Sequence, residues 1–470
     1  MFSVYQLVVI LTIIHVVMDN RQPAKTMAWI LVIWFVPVAG IVFYLFFGVN
    51  TRKERLISQR SLDQLSKRSM LEFVEQKDLR LPEEHTALID LFVNEGFSLP
   101  FKDNTVRIFR DGYEFFPALL HEIAAAQDHI HIDMYIFSDD ALGSLMADAL
   151  IEKARSGVEV KLIYDDVGCW NVSHRFFERM REEGIETVPF LPVRFPSFTS
   201  KVNYRNHRKL IVIDGTTGFI GGMNIALRYV KGTETQPWRD TMLQITGSGV
   251  YSLQRAFLVD WYFVDRTLVS NRKYYPSTAN QLSQVRNDSI LQTVTSGPVT
   301  PYPEIMQGFV RMFLSAKRYI YIETPYFLPT EPVLFALKTA AMGGVDVHIL
   351  VPYRSDARFV EWASRSYLRE VIEAGVKVGL YRAGFLHSKI VVCDDNICTC
   401  GSTNVDFRSF ENNFEANVFI YDKDVAVRMR EVFLEDERRA TSFADIPKRM
   451  HPHFLKRLGE SVVRMLSPLM

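Results

Sequence analysis

The sequence feature that most constrains the fold is an internal duplication. IHIDMYIF at Ile130–Phe137 is echoed by IYIETPYF at Ile320–Phe327, and GVEVKLIYDD from Gly157 is echoed by GVDVHILVPY from Gly344. The copies lie roughly 180–190 residues apart, far more than the about 20–50 residues of a solenoid repeat. We therefore predict a duplicated domain with pseudo-twofold symmetry, in which a site can form where the two halves meet.

Within each copy, short β-branched runs alternate with longer helical ones, for example His129–Phe137, Ala141–Arg155 and Val158–Tyr164. This alternation is typical of the α/β class, with two related α-β-α halves. The predicted organisation is a pair of apolar helices over 1–50, a helical connector over 51–104, the first half over 105–285, the second half over 286–446, and a basic amphipathic tail helix over 447–470.

Both halves carry the pattern His-x-Lys-x-x-x-x-Asp. The first copy is His207, Lys209 and Asp214, and the second is His387, Lys389 and Asp394. Chance should produce only about a few hundredths of one such pattern in a chain of ordinary composition. Each copy also continues in register, since Asn224 and Asn404 follow the motif aspartates at the same ten-residue offset. The pattern therefore indicates a two-part chemical site.

The residues around each motif predict its geometry. KLIVID and KIVVCD are typical of strands, in which residues two apart project from the same face, so each His and its Lys should reach one pocket. Arg208 and Ser388 should point to the opposite face. Asp214 and Asp394 open the following turns, where Asp commonly binds local backbone, and we interpret them as structural although they belong to the motif.

The side chains brought together suit a phosphodiester anion. Lysines neutralise the non-bridging oxygens and Asn amides donate hydrogen bonds to them, with no metal or cofactor required. Ser402 stands where the first copy has its second Gly and could offer its hydroxyl to phosphate. One neutral imidazole can attack phosphorus while the other, protonated, acts as general acid. We expect transfer through a phosphohistidine.

Composition limits the alternatives. Lys plus Arg and Asp plus Glu number 54 each, so there is no basic excess of the kind that favours a nucleic-acid phosphodiesterase. Three of the four cysteines, Cys393, Cys398 and Cys400, crowd together without the paired spacing of a zinc site. We expect all four, with Cys169, to be reduced core residues.

The N-terminus contains two apolar runs, Phe2–Met18 and Met27–Gly48. A spanning helix needs about 17–25 apolar residues. A cleavable signal peptide is the alternative, but the start lacks its basic region and cleavage site. We therefore predict a transmembrane hairpin.

The orientation of this hairpin follows from its flanking charges. Arg52, Lys53, Arg55 and Arg60 follow the second run, whereas the loop between the runs offers only Arg21 and Lys25. The positive-inside rule then places the remaining chain in the cytoplasm. The tail helix would lie either on an anionic membrane interface or on the globular part.

The chain resembles the phospholipase D superfamily and, over nearly its whole length, the bacterial cardiolipin synthases. The resemblance rests on RQPAKTMAWILVIWFVPVAGIVFYLFFG, NYRNHRKLIVIDGTTGFIGGMN, PWRDT, IYIETPYFLP, FLHSKIVVCDDNICTCGSTNVDFRSFENNFEANV and the amphipathic tail. It implies two phospholipase D-like halves in a multi-pass protein of the bacterial inner membrane. Its substrates would be phosphatidylglycerol and other membrane phospholipids.

The resemblance also implies roles for individual residues. Asp240 would orient His387, Glu415 would orient His207, and His207 would be the nucleophile. The near-symmetry of the motifs leaves the reverse assignment of the histidines open. The residues equally leave open a phospholipase D-type hydrolase or a phosphatidyltransferase with a different acceptor alcohol, as well as the second lipid substrate and the oligomeric state.

Overall fold

A computed structural model of the chain describes residues 4–18, 23–48, 79–96, 98–193, 203–234, 236–269, 271–276, 289–300 and 302–467. Most of the predicted connector, including the four basic residues that follow the predicted hairpin, lies outside the described residues, as do residues 19–22 of the hairpin loop. The rest of that loop, 23–26, belongs to a helix that begins at Pro23. Residues 277–288, which include the predicted boundary between the halves at 285/286, also lie outside the described residues.

The N-terminal apolar region forms short helices that pack together. They are α1 (Val4–Met18), α2 (Pro23–Phe35), α3 (Pro37–Phe43) and a π-helical turn (Tyr44–Gly48). The predicted single helix over Met27–Gly48 is wrong in detail: Val36 leaves the helical region with φ −134°, because proline disfavours helical backbone in the residue before it. No helix in the described ranges combines the length and apolarity that a membrane span requires.

The first half alternates strands and helices as predicted. It follows a 3₁₀ turn (Glu83–His85) and α4 (Thr86–Gly96). Its elements are β1 (Phe101–Phe109), α5 (Gly112–Ala125), β2 (His129–Met134), α6 (Ala141–Arg155), β3 (Glu159–Asp165), α7 (His174–Glu182), β4 (Glu186–Phe190), β5 (Arg205–Asn206), β6 (Lys209–Ile213), β7 (Thr217–Gly221), α8 (Arg228–Lys231), β8 (Trp238–Arg239), β9 (Met242–Gly247) and α9 (Val250–Asp265), followed by a 3₁₀ turn (Arg272–Tyr274). Because β1 begins at Phe101, the last four residues assigned to the connector belong to this half.

The second half repeats the order. Its elements are β10 (Ser289–Ser296), α10 (Glu304–Ser315), β11 (Tyr319–Glu323), β12 (Phe327–Leu328), α11 (Glu331–Met342), β13 (Asp346–Pro352), α12 (Arg358–Glu373), β14 (Lys377–Tyr381), β15 (Phe385–Leu386), β16 (Ile390–Cys393), β17 (Ile397–Gly401), β18 (Val405–Asp406), α13 (Phe407–Glu411), β19 (Asn413–Tyr421), α14 (Lys423–Glu437) and β20 (Ala440–Ser442). The chain then forms α15 (Pro447–Met450) and α16 (Phe454–Met465).

One continuous mixed sheet joins the halves. Its strand order is β20-β14-β13-β11-β16-β17-β19-β10-β1-β9-β7-β6-β2-β3-β4. Outward from the β10–β1 junction the first seven strands on each side correspond, with β2 equivalent to β11 and β6 to β16, and β20 extends the second half by one strand. At the junction, Phe101 of β1 pairs antiparallel with Leu291 of β10. Helices cover both faces, and the apolar side chains of each half pack beneath them. The predicted pseudo-twofold duplication is confirmed.

The tail helix α16 packs on α12 through its polar side. Glu460 is buried between Arg365 and Arg369, and its carboxylate lies 2.6 Å from the Arg369 guanidinium. The opposite side carries exposed apolar residues: Phe454, Leu455, Leu458, Val462, Met465 and Leu466. Of the two predicted arrangements, docking on the globular part is observed, with the apolar side facing outward.

Candidate active site

Short strand pairings exchange the segments that carry the motifs. β5 pairs with β19 and β8 pairs with β15, so each half adds a strand to the other beside a histidine. The His207 amide donates to the Phe414 carbonyl at 2.9 Å, and the His387 amide donates to the Arg239 carbonyl at 2.7 Å. Each histidine is therefore fixed to the segment that bears the other half's carboxylate.

His207 is held by Glu415 of the second half. Its Nδ1 lies 2.9 Å and 3.0 Å from the two carboxylate oxygens. Glu415 also accepts hydrogen bonds from the Ser402 hydroxyl and, at 3.2 Å, from the Asn413 amide. The expectation that Ser402 offers its hydroxyl to phosphate is wrong, because that hydroxyl is buried and already donates to the carboxylate.

His387 is held by Asp240 of the first half. Its Nδ1 lies 2.6 Å from Asp240 Oδ2, while Asp240 Oδ1 accepts from the Thr241 amide at 2.8 Å. Burial alone would raise the pKa of Asp240, but neighbouring Lys389 and His387 hold it below its usual value. The carboxylate is therefore ionised beside the imidazole. An Nδ1 proton donated to it leaves the lone pair on Nε2, the nitrogen available for chemistry.

Both motif lysines are buried next to their histidines. Lys209 Nζ donates to the His207 carbonyl, and Lys389 Nζ donates to the His387 carbonyl and lies 2.9 Å from its Nδ1. Burial lowers the pKa of Lys209 to about 7, and it also lowers the pKa of Lys389. Each lysine further lowers the proton affinity of its neighbouring imidazole.

The two imidazoles are neutral before substrate binds. Burial lowers the pKa of His207 to about 4 and that of His387 to about 3, with the neighbouring lysines adding to the effect. Glu415 and Asp240 act in the opposite direction but do not outweigh burial. Both imidazoles are therefore uncharged at neutral pH, each with a single ring proton.

Both histidines line one open cavity of about 380 Å³. It is also lined by Tyr135, Ile136, Arg205, Asn224, Arg228, Tyr229, Trp238, Tyr326, Leu328, Asp356, Ala357, Val360, Asn404, Asp406, Phe407, Arg408, Asn413 and Ser467. The mixture of apolar walls with imidazole, amide and guanidinium groups suits an amphiphilic anion.

The two predicted asparagines both lie in this cavity but differ in their bonding. The Asn224 amide donates to the Tyr229 hydroxyl at 2.5 Å, and its oxygen accepts from the Ile136 amide. Asn404 is buried, and its side-chain oxygen has no hydrogen-bond partner within the described residues. Asn404 therefore retains a side-chain acceptor without a partner among the described residues, whereas both polar groups of the Asn224 side chain are hydrogen-bonded.

The motif aspartates lie away from the cavity lining. Asp214 accepts from the amides of Gln127, Asp128 and His129. Asp394 accepts from the amides of three consecutive residues, 317–319. Both have positive φ, 53° and 56°. They join the turn after the motif strand to the start of the adjacent strand, so both are structural as predicted, but their partners are distant in sequence and are not the local backbone that turn chemistry predicts.

Sequence reasoning missed a buried arginine beside each histidine. Arg208 points away from the cavity, as its strand position predicts, and pairs with Asp260 while its Nε donates to the Glu415 carbonyl. Arg239 pairs with Asp436 at 2.8 Å and donates to the Asp240 carbonyl at 2.7 Å. These contacts support the backbone of both orienting carboxylates.

Each of these arginines meets a pair of buried acids. Asp133 lies with Asp260, and Glu323 lies with Asp436. Burial and the neighbouring acid raise the pKa of Asp133 well above its usual value and that of Glu323 to about 8. Asp133 and Glu323 occupy the same position in the two copies of the repeat. A repeated acid within a buried strand was the signal available in the sequence.

The four cysteines are buried and carry free thiols, as predicted. Across the described parts of the chain, no group of three or more His, Cys, Asp and Glu side chains could hold a metal ion.

Comparison with known families places these features in context. Residues 119–253 and 309–437 match the family model described as cardiolipin synthase, phospholipase D-like domain, and residues 7–48 match the model described as phospholipase D-nuclease N-terminal. The chain is 39% identical over 460 residues to a cardiolipin synthase of Geobacillus sp. (strain WCH70), covering 96% of this chain and 90% of that protein. It is 36% identical over 474 residues to the major cardiolipin synthase ClsA of Bacillus subtilis, covering 98% and 97% of the two chains.

Among solved structures, phosphatidylserine synthase of Haemophilus influenzae shares the fold. The TM-score is 0.60 at 16% identity, over 86% of this chain and all of that one (100%).

Proposed function

Because the chain belongs to the cardiolipin synthase family of phospholipase D-like phosphatidyltransferases, we propose that it joins two phosphatidylglycerol molecules. The phosphatidyl group of one lipid is transferred to a hydroxyl of the other, and glycerol is released. Two His in one cavity, each with its Nδ1 on a carboxylate of the opposite half, are the observation that carries this proposal.

The transfer takes two displacements. In the first, His207 Nε2 forms a bond to phosphorus, the bond from phosphorus to the glycerol oxygen breaks, and His387 gives that oxygen a proton. In the second, the acceptor hydroxyl gives its proton to His387 as its oxygen bonds to phosphorus and the nitrogen–phosphorus bond breaks. Lys209 and Lys389 neutralise the charge that develops on the phosphoryl oxygens.

His387 must acquire a proton before it can act as an acid. In the free protein its pKa is about 3, but an anionic phosphodiester in the cavity favours the charged imidazolium and raises that pKa. Donor binding is therefore accompanied by proton uptake, which calorimetry in buffers of different ionisation enthalpy measures directly.

The test uses the purified full chain in vesicles containing labelled phosphatidylglycerol, with and without phosphatidylethanolamine. Mass spectrometry should detect cardiolipin and released glycerol, and a chelator should leave the rate unchanged. Phosphatidate without cardiolipin would instead establish a hydrolase, and ethanolamine release would establish a different donor.

The same proposal includes two contacts with the bilayer. The packed apolar segment anchors the chain in the bacterial inner membrane as a multi-pass hairpin, with α1 as one arm and the run from α2 through α3 and the π-helical turn as the other, and with the catalytic halves on the cytoplasmic side. The outward apolar side of α16 rests on the interface. Support comes from Phe454 and Leu455, which are 76% and 73% exposed, and from Ser467, just beyond this helix, which lines the cavity. Lipid can then enter from the surface on which α16 lies.

Charged substitutions test the contact made by α16. Phe454→Glu with Leu455→Glu should lower activity on vesicles while leaving activity on monomeric short-chain phosphatidylglycerol unchanged. Leu145→Glu, a change at an exposed leucine of the first half, is the matched control. Equal losses on both substrates would contradict an interfacial role.

A further inference from the structure

Two arginines that the motif chemistry does not use stand at equivalent positions in the halves. Arg228 follows Asn224 by four residues, and Arg408 follows Asn404 by four. Both line the cavity that contains the histidines. The duplication therefore places one guanidinium from each half beside the reaction centre.

The two arginines lie on different sides of the cavity. Arg228 lies over the rings of Trp238 and Tyr229, 5.4 Å and 5.6 Å from their centroids. The Trp238 ring is 5.2 Å from that of His387. Arg228 therefore stands on the His387 side.

Arg408 stands on the His207 side. It acts electrostatically on the Tyr135 hydroxyl, and the Tyr135 ring is 5.1 Å from that of His207. Its guanidinium also reaches the side-chain and main-chain oxygens of Asn203, both at 3.4 Å.

Arg228 keeps unused hydrogen-bonding capacity beside the interaction of its guanidinium with the Tyr229 hydroxyl. Its Nε is buried and has no hydrogen-bond partner among the described residues, while the rings beneath it hold the guanidinium in place. A guanidinium held by aromatic stacking is well suited to bind a phosphodiester through two parallel hydrogen bonds. The two displacements described above do not use this guanidinium.

The direction of the reaction identifies that ligand. In a displacement at phosphorus the nucleophile and the leaving oxygen lie roughly in line on opposite sides. With His207 attacking, glycerol leaves on the His387 side, and the acceptor hydroxyl enters there. In an acceptor phosphatidylglycerol, the glycerol headgroup carries that hydroxyl at one end and the lipid's own phosphodiester at the other. This second anion therefore lies farther out on the same side.

We propose that Arg228 binds the phosphodiester of the acceptor lipid and thereby selects an anionic alcohol over free glycerol or water. This inference rests on the proposed function and on attack by His207. Arg228 acts as a specificity residue for the second displacement and leaves the first unaffected.

The experiment separates the two displacements. The full-length protein receives phosphatidyl-p-nitrophenol as donor, and the pre-steady-state burst of nitrophenolate reports the first displacement. Free glycerol and the deacylated headgroup of phosphatidylglycerol, an anionic glycerol phosphodiester, compete as acceptors. The ratio of their phosphatidyl products reports the second.

Wild type should favour the anionic acceptor, and Arg228→Gln should reduce that preference by about tenfold or more, as expected for loss of a charge-assisted hydrogen bond. Nitrophenolate release should change by less than about twofold on the same reasoning, because Arg228 does not contact the donor phosphate. Arg228→Lys should retain part of the preference. Lys231→Gln, at an exposed position on the same short helix, should behave as wild type.

Three results would overturn the inference. An unchanged acceptor ratio in Arg228→Gln would show that the arginine does not bind the acceptor. A shift of the ratio in Arg408→Gln but not in Arg228→Gln would place the acceptor on the His207 side. Loss of nitrophenolate release in Arg228→Gln, with an unchanged unfolding temperature, would assign the arginine to the donor. Failure of the proposed function is distinct: wild type would release nitrophenolate but form no cardiolipin from phosphatidylglycerol.

Discussion

The two histidine sites are related by the duplication but are built differently. His207 meets both oxygens of Glu415, whereas His387 meets one oxygen of Asp240, at 2.6 Å, and also has Lys389 Nζ at 2.9 Å. The longer side chain of Glu415 reaches His207 and also accepts a hydrogen bond from the Ser402 hydroxyl. The shorter side chain of Asp240 reaches His387 because its carboxylate lies close to the backbone.

The difference shows how a repeated motif can diverge without losing its geometry. A Cβ at Gly222 would lie 2.0 Å from Asp240 Oδ1, so glycine is required where the carboxylate approaches the chain. At the equivalent position the second half has Ser402, whose side chain fills that space and supports Glu415. The motif thus fixes the histidines, while each half has its own means of holding the partner carboxylate.

The largest expected effect comes from removing the histidines on two donors. His207→Ala should abolish both cardiolipin formation and nitrophenolate release from phosphatidyl-p-nitrophenol, because no nucleophile remains. His387→Ala should slow cardiolipin formation by about 10²–10⁴-fold but retain most of the single-turnover burst of nitrophenolate, since nitrophenolate leaves without protonation. Pre-steady-state bursts with phosphatidyl-p-nitrophenol and steady-state rates of cardiolipin formation provide the measurement. The opposite pattern would exchange the two roles.

Neutralising the carboxylates should have the next largest effect. Asp240→Asn and Glu415→Gln should each lower the rate of cardiolipin formation, by up to about 10⁴-fold where the imidazole takes the wrong tautomer. Only Glu415→Gln should also slow nitrophenolate release strongly, because Glu415 orients the attacking histidine. The exposed Asp148 provides the matched control, Asp148→Asn. Equal sensitivity of the two donors in both active-site variants would contradict separate roles for the histidines.

Local sequence predicted much of the fold and the inner residues of the site. Strand periodicity and the repeated motif located the two histidines in the cavity, because residues two apart on a strand share a face. The lysines lie buried beside them but are not among the lining residues of the cavity. Local sequence also indicated that Asp214 and Asp394 are structural, although their partners lie 75 to 87 residues away and not in the local backbone.

The remaining features depend on contacts between distant segments. The sequence prediction assigned the Ser402 hydroxyl to phosphate. It could not place Glu415 beside this hydroxyl, because that contact depends on the pairing of β17 with β19. The arginine pairs with Asp260 and Asp436 join each motif region to a helix far along the chain. Pro37 was a local signal for the helix break. The prediction of one helix followed the continuous apolar run instead of this proline.

Alanine substitutions at Gly222 and Ser402 should have smaller effects on cardiolipin formation, and the two effects should differ in size. Gly222→Ala should displace Asp240 and reduce cardiolipin formation by about 10²-fold, consistent with a misplaced catalytic group. Ser402→Ala removes one hydrogen bond to Glu415 and should cost only about tenfold. Steady-state rates at an unchanged unfolding temperature provide the comparison. If Gly222→Ala is as active as wild type, the close approach of Asp240 does not constrain that position.

The smallest effect is on the pH dependence of stability. The pKa of His387 is about 3 in the folded protein and about 6.5 when unfolded, so the unfolded state binds more protons between these values. Stability is therefore lost as pH falls below about 6.5, by about 1.4 kcal/mol per pH unit for this group. His387→Gln should remove that loss, so the gap in unfolding free energy between wild type and variant should narrow from pH 7 to pH 5. His207→Gln should narrow the gap in the same way between pH 7 and pH 5. Because the pKa of His207 is about 4, the loss of stability due to His207 should level off near pH 4, whereas the loss due to His387 should continue to about pH 3. Denaturant titrations at several pH values measure this gap. A gap that stays constant from pH 7 to pH 5 would show that His387 is not held neutral by burial.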